Sequence, residues 1–411
     1  VNIKEGNVMS WTCEIPYGAY WSTPFAKWQG SLSGLNSLTF GAYVARHEMK
    51  KRGIDPAVFD HGVLGMTVPQ KQSFYGLPWF AGLIGAGHLA GPTINQACAT
   101  APRCLMAAAQ EIEEGDATAA LVATCDRLSN GAHIVYPAPH APGGTAENEN
   151  WVLDNFGCDP LGGHSMLKTA ENVAAKYQVS TAEQHALVLR RSEQYKMALA
   201  NDRAFQKRYM SLPFEVPRPD LKRQAGVMEG DEGVTLSTAE GLAKLKPVLP
   251  GGTVTFGGQT HPADGSACMV VTTADKAREM SADKSIRIKI LGFGSGRTDL
   301  AYMPEAPVKA AKKALDRAGL AIGDINAIKS HNPFAVNDIV FARQTGAKLD
   351  SMNNYGCSLL WGHPQGPTGL RAIIEMIEEL AIRGGGRGLF QGCAAGDTSM
   401  AVVIEVTGGR G

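Results

Sequence analysis

The sequence predicts an α/β protein made of two related halves, with an extra segment inserted into the first. Three features predict it. Glycines fall where strand-like apolar runs meet helix-like runs, a helix, stop and strand unit recurs with matching spacing, and a stretch rich in Pro, Gly and Asn breaks the pattern. Residues 38–52 read as a helix, Gly53 and Asp55-Pro56 as its exit, and residues 62–68 as a short buried strand. The same order returns as residues 307–318, Gly319 and residues 325–330, and the interval from Gly53 to Phe59 equals that from Gly319 to Ile325. A second pair follows each unit: residues 98–114, Gly115 and 119–124 in the first half, and residues 367–383, the glycines 384–386 and 388–392 in the second. Residues 137–163 and the polar-faced helices of 169–200 form the insertion, after which 253–256 and 267–272 return to the first half. The expected division is 1–127 for the first part of the N-terminal half, 128–250 for the inserted loop domain, 251–278 for the return, and 279–411 for the C-terminal half.

Composition narrows the function classes. Lys plus Arg is 39 and Asp plus Glu is 39, so no net charge draws the 411-residue chain to a polyanion. Hydrophobic residues at 44% and charged residues at 19% exclude a disordered chain. The longest apolar stretch, 75–91, is interrupted by Pro78, His88 and glycines, so no membrane span is expected. Residues 1–6 show no secretory pattern, which makes the cytoplasm the expected location. Eight cysteines with no C-x-x-C pair predict neither a disulfide scaffold nor a metal site within this chain.

Four segments carry residues suited to chemistry. Asn95-Gln96-Ala97-Cys98-Ala99-Thr100-Ala101 sets Cys98 at the start of an Ala-rich helix, where backbone amides and the helix dipole favour a thiolate and an oxyanion. Gly362-His363-Pro364-Gln365-Gly366 fixes His363 in a turn, the place for a base working near neutral pH. Gln391-Gly392-Cys393-Ala394-Ala395-Gly396 puts Cys393 after a buried strand among small residues that admit a ligand. Ser330-His331-Asn332-Pro333-Phe334-Ala335 places His331 at another strand's end. Taken singly, each cysteine reads first as a core thiol, and each histidine equally well as one that merely ties a turn.

Together, and in this order, the four segments resemble the active-site motifs of the thiolase family. Met166 with Thr169-Ala170-Glu171-Asn172-Val173-Ala174 resembles that family's loop-domain signature, and Asp231-Glu232, residues 242–247, 252–255 and Asp264-Gly265-Ser266-Ala267 resemble the segment leading back to the core. The resemblance implies the thiolase fold: two βαβαβαββ halves in a five-layered arrangement with an inserted loop domain, assembled at least as a homodimer. It implies that Cys98 is the acylated nucleophile, His363 its base, Cys393 the acid/base at the α-carbon, and His331 an oxyanion donor, with backbone N–H groups of Cys98 and Ala395 as a second hole. Met166, Thr260 and Ala395 would contact coenzyme A, which serves as substrate. His331 stands where the family usually has Asn, Ala394-Ala395 where it has Gly-Gly, and Cys357 where it has Gly, so the acetyl-specific pocket is not copied.

The aromatics Tyr17, Tyr20, Trp21, Phe25, Trp28 and Trp361 would suit a bulky or aromatic acyl group, and the His-Asn-Pro-Phe variant, the segment 357–363 and the distinctive first 34 residues resemble the branch that cleaves 2-benzoylsuccinyl-CoA in anaerobic toluene degradation. That branch works with a small zinc-finger, OB-type partner subunit. Competing expectations are a biosynthetic, ketosynthase-like condensing acyltransferase and a non-catalytic CoA- or lipid-binding scaffold. Residues 290–296 mimic a dinucleotide-binding turn without the helix that should follow, and Glu111, Glu113 and Glu114 read as a solvated acidic face.

Overall fold

The computed structural model describes residues 11–409, so the expectation about residues 1–6 lies outside the described residues. Two mixed sheets repeat one plan. In the first, the order is Tyr20–Ser22, Ala263–Thr272, Ala119–Arg127, His61–Gly65 and Thr93–Ile94, with Ala26–Lys27 also on Ala263–Thr272. In the second, it is Arg287–Arg297, Thr398–Thr407, Gly385–Ala394 and Ala327–His331. Each half pairs two strands in parallel, His61–Gly65 with Ala119–Arg127 and Ala327–His331 with Gly385–Ala394, and adds antiparallel neighbours on one side. The helices Thr100–Glu114 and Gln365–Ile382 pack on each other between the sheets. Ser37–Arg52 and Leu77–Ile84 cover the outer face of the first sheet, and Ala306–Ala318 covers that of the second. Five layers result, because both faces of each sheet are apolar and must be covered.

The helices begin and end where local chemistry dictates. Asn36 caps Ser37–Arg52 by accepting from the amides of Leu38 and Thr39, and Gly53 closes it at φ 67°. Ser180 and Glu183 form a reciprocal cap at the start of the long insertion helix. The central helix Gln365–Ile382 is buried almost all round, and its Arg371, Glu375, Glu378 and Glu379 are tolerated because each is paired or hydrogen-bonded.

Several expectations need correction. Residues 253–256 form no strand: Thr255 makes an isolated bridge to Pro247 and Phe256–Gly258 is a turn, so Ala263–Thr272 alone closes the first sheet. Glu113 is not a solvated face residue, since its carboxylate accepts the amides of Thr12 at 2.5 Å and Cys13 at 2.7 Å. The glycines at 292, 294 and 296 lie in a strand, where a Cβ on Gly294 would overlap the Ala310 carbonyl of the covering helix. Among the described residues no helix is long and apolar enough to cross a membrane; the stretch 75–91 yields only the helix Leu77–Ile84.

Candidate active site

Cys98 sits in a tight turn between the strand Thr93–Ile94 and the helix Thr100–Glu114, which starts two residues later than the sequence predicts. The turn forces Ala97 to φ 45°, a left-handed conformation that a non-glycine residue adopts at a cost. Three local hydrogen bonds hold it: Ala97 N–H donates to Asn95 Oδ1 at 2.9 Å, Gln96 N–H to Thr100 Oγ1 at 2.8 Å, and Thr100 Oγ1 to the Ala97 carbonyl at 2.7 Å. The backbone amides of Cys98 and Ala395 face the sulfur and favour its anion, but burial outweighs them and pushes the thiol up to about 12. The expected local bias toward thiolate is thus present in these two amides, and burial opposes it. Burial thus favours the thiol form of Cys98, which reacts as a nucleophile only after losing its proton.

His363 stands beside Cys98. His363 follows Gly362 at φ 90°, and its amide donates to the His261 carbonyl at 2.9 Å. The Thr368 hydroxyl donates its one proton to the Pro364 carbonyl at 2.6 Å, so toward His363 Nδ1, 2.7 Å away, it only accepts. Nδ1 then carries the ring proton and Nε2 keeps a lone pair, which is buried and has no protein partner. Burial, reinforced by the neighbouring His331 and His261 rings, holds His363 well below the usual histidine range, so it is neutral. Asp126 supports the turn from the other half, accepting Gly366 N–H at 2.6 Å together with the amide and hydroxyl of Thr67 at 2.8 Å each.

His331 ends the strand Ala327–His331 and stacks on His363, with ring centroids 3.9 Å apart and planes at 24°. Burial lowers it to about 3, and its Nε2 is also without a partner. The ligand-capable atoms of Cys98, His331 and His363 all lie within 4.8 Å of one another, the one such grouping among the described residues. Cys393, near the end of Gly385–Ala394, is fully buried and close enough to Cys98 that charge on one sulfur raises the other; burial is the larger effect. The Asn337 side-chain amide donates to Cys393 Sγ at 3.2 Å and favours its thiolate.

These groups meet at a cavity of about 290 Å³ lined by Cys98, His363 and Ala395 on the reactive side and by Met166, Thr260, Phe334 and others around it. His331 and Cys393 stand behind that lining. No Lys, Arg, Asp or Glu contributes to the wall. A larger cavity of about 760 Å³, bounded by Gly233–Leu245 residues of the insertion and by Phe256, shares Gln259, Thr260 and Pro262 with it. The aromatic cluster does not line the smaller cavity: Tyr20, Trp21, Phe25 and Trp361 are core, and Trp361 packs edge-on to Phe25 at 5.3 Å under the Arg371 guanidinium. Instead Phe156 and Phe334 supply its aromatic wall. Sequence reasoning missed Asn337, Thr368, Asp126 and Ser358, whose hydroxyl lies 3.0 Å from His331 Nδ1; their positions arise from contacts across the fold, and only Thr368, five residues after His363, had a local signal.

The arrangement suits acyl transfer through a cysteine. Comparison with known proteins gives the same direction. The thiolase N-terminal domain matches residues 19–275 and the thiolase C-terminal domain residues 284–406. An acetyl-CoA acetyltransferase of Paracoccus denitrificans is 28% identical over 392 residues, 93% of this chain and 97% of the relative. A beta-ketoadipyl-CoA thiolase of Pseudomonas knackmussii is 28% identical, covering 93% of this chain and 96% of its own. The human mitochondrial 3-ketoacyl-CoA thiolase in complex with CoA superposes with a TM-score of 0.86 at 25% identity, covering 97% of this chain and 99% of the other. With both domain matches spanning most of its length, the chain belongs to the thiolase family of acyltransferases.

Proposed function

We propose that this protein cleaves a β-ketoacyl-CoA with a second CoA, and that its substrate is 2-benzoylsuccinyl-CoA, giving benzoyl-CoA and succinyl-CoA. The observation that carries the catalytic part is the bare, buried Nε2 of a neutral His363 beside an un-ionised Cys98. His363 Nε2 takes the Cys98 proton, and the sulfur attacks the keto carbon. The bond to the α-carbon breaks, its electron pair forms an enolate on the leaving acyl-CoA, and the Cys393 thiol protonates that carbon. The Cys393 thiolate then deprotonates an incoming CoA thiol, which attacks the acyl-Cys98 thioester; Cys98 leaves and recovers its proton from His363. His331 and the amides of Cys98 and Ala395 stabilise the oxyanions.

Support for a benzoyl acyl group comes from the aromatic and thioether wall of Phe156, Phe334, Met166 and Met303. The side-chain amides of Gln259 and Gln365 and the Ser165 hydroxyl are donors available there to a substrate carboxylate. CoA reaches the sulfur past Met166 and Thr260 through the adjoining cavity. A homodimer with a small zinc-finger, OB-type partner subunit accompanies this reading. Mass spectrometry of Cys98 after mixing with 2-benzoylsuccinyl-CoA in the absence of free CoA tests it. A benzoyl adduct is expected; an acetyl adduct from acetoacetyl-CoA alone would remove the substrate, and no adduct from any β-ketoacyl-CoA would remove the activity.

A further inference from the structure

We propose that Cys98, His331 and His363 form a zinc site, which holds Zn²⁺ through Cys98 Sγ and the two Nε2 atoms and keeps the enzyme reversibly inactive. The three ligand-capable atoms lie within 4.8 Å of one another, and no other cluster of this kind occurs among the described residues. Both Nε2 atoms are buried and make no hydrogen bond. Their residues are 0% and 5% exposed, so neither lone pair is spent on bulk water. One sulfur and two imidazole nitrogens make a donor set that suits zinc and not magnesium or calcium. The missing C-x-x-C pair excludes only a zinc clip within one segment, whereas these ligands come from three.

The surroundings meet the other needs of such a site. Each Nδ1 faces a hydroxyl: His363 donates to Thr368 Oγ1 at 2.7 Å, and His331 Nδ1 lies 3.0 Å from Ser358 Oγ. With the His331 proton on Nδ1, Ser358 accepts it and gives its own proton to Asn332 Oδ1 at 3.1 Å, so every group is satisfied and Nε2 keeps its lone pair for the metal. Hydroxyl acceptors behind both rings are the outer contacts that orient metal-bound histidines. Tetrahedral zinc, with Zn–N about 2.0–2.1 Å and Zn–S about 2.3 Å, sets its ligand atoms about 3.3–3.6 Å apart. The 4.8 Å limit therefore has to close by about 1.5 Å at most, a distance within reach of tilting the two stacked rings. Cys98 and His363 line the smaller cavity, so the fourth position opens onto it and takes water, and the wall there carries no Lys or Arg to repel the cation. On binding, the Cys98 Sγ–H bond breaks, the Sγ–Zn bond forms and the proton leaves to solvent, giving a thiolate, two neutral imidazoles and one net positive charge. The sulfur and both lone pairs are then occupied, and acylation stops.

The inactivation rests on the proposed function, but the binding does not. Cobalt(II), a coloured stand-in for zinc, tests the binding on the whole enzyme after treatment with a chelator. One equivalent per chain should give the intense visible bands of four-coordinate cobalt and a sulfur-to-metal charge-transfer band, and Zn²⁺ should displace them. Cys98→Ala should abolish the charge-transfer band, and His331→Asn, which removes a ligand, should weaken binding by more than about 100-fold. Ser358→Ala keeps all three ligands and should weaken it by about 10- to 100-fold. Zn²⁺ should also slow the labelling of Cys98 by iodoacetamide, read by mass spectrometry, and a chelator should restore it. Only the weak bands of six-coordinate cobalt, or binding undiminished in Cys98→Ala and His331→Asn, would mean adventitious surface binding and overturn the site. Labelling of Cys98 that zinc leaves unchanged would overturn it too. A wild-type enzyme that binds cobalt as expected but never acylates Cys98 refutes the proposed activity and leaves the zinc site standing. One that acylates Cys98 and gives no four-coordinate bands does the reverse.

Discussion

At the residue scale, the two cysteines share an environment and differ in their helpers. Burial raises both thiols; Cys98 has His363 and two backbone amides beside it, while Cys393 receives one side-chain hydrogen bond, from Asn337. Asn337 also accepts the Phe334 amide at 3.3 Å, which keeps its NH2 group turned toward the sulfur. A hydrogen bond to a charged group contributes about 1.5–3 kcal/mol, or roughly 10- to 100-fold in a step that needs the charge. Asn337→Ala should therefore slow deuterium exchange at the α-carbon of a product acyl-CoA by that factor and leave the burst of Cys98 acylation within a few-fold of wild type. Equal losses in both measurements would show that Asn337 supports the fold rather than Cys393. The sequence exposes Cys98, His331, His363 and Cys393 because each sits in a short segment of unusual composition. It hides Asn337 and Ser358, which lie on ordinary helical turns and acquire meaning only from what folds against them. It carries the amides that favour the thiolate but not the burial that opposes them, because helix position is local and burial is not.

At the scale of elements, the insertion is tied to the central helix by one fully buried ion pair. Asp231 accepts two hydrogen bonds from Arg371, at 2.6 and 2.8 Å, and Arg371 in turn reaches Glu375, which Lys329 also holds at 2.7 Å. Tyr195 and Gln206 of the insertion donate to the same Asp231 carboxylate. Arg371 stacks over Phe25 at 4.7 Å and Trp361 at 4.4 Å, so its charge has no route to water. Removing one partner of a buried pair leaves the other uncompensated, at about 3–5 kcal/mol. Asp231→Ala should lose about that much in urea unfolding, and a loss below about 1 kcal/mol would mean that water or another group reaches Arg371. The repeated helix, stop and strand units were legible because they are local and periodic, whereas this junction joins residues 140 positions apart. The strand glycines are a third case. Their dinucleotide-like spacing is instead the imprint of a helix lying close on a sheet, and Gly294→Ala should cost about 1–3 kcal/mol through overpacking against Ala310, read from the shift in urea midpoint.

Across the whole molecule, the repeat explains why the site is where it is. Cys98 and His363 occupy equivalent places, each two residues before one of the paired central helices, so the pseudo-symmetry that packs those helices also brings these two side chains together. Burying two neutral histidines there has a consequence for stability. Unfolded, each titrates near 6.5; folded, His331 resists protonation to about 3 and His363 lies well below its usual value, in both cases through burial. Between those limits the unfolded chain binds more protons, so stability is lost as pH falls below 6.5, by up to about 1.4 kcal/mol per pH unit for each histidine. Asp126 and Asp264 act in the opposite sense. Burial raises both from 3.8 to about 6, so the folded protein takes up protons first and gains stability as pH falls through that range. The wild-type profile is thus a sum of opposing slopes, and a difference between variants removes the His331 contribution together with its smaller effect on His363. His331→Asn removes one histidine and leaves both aspartates. Relative to wild type, it should become progressively more stable on acidification below pH 6.5, the gap widening toward about 1.4 kcal/mol per pH unit. Urea unfolding of both proteins at pH 7, 6 and 5 measures it, and parallel curves would mean that His331 is protonated in the folded enzyme and that the neutral imidazole pair is wrong.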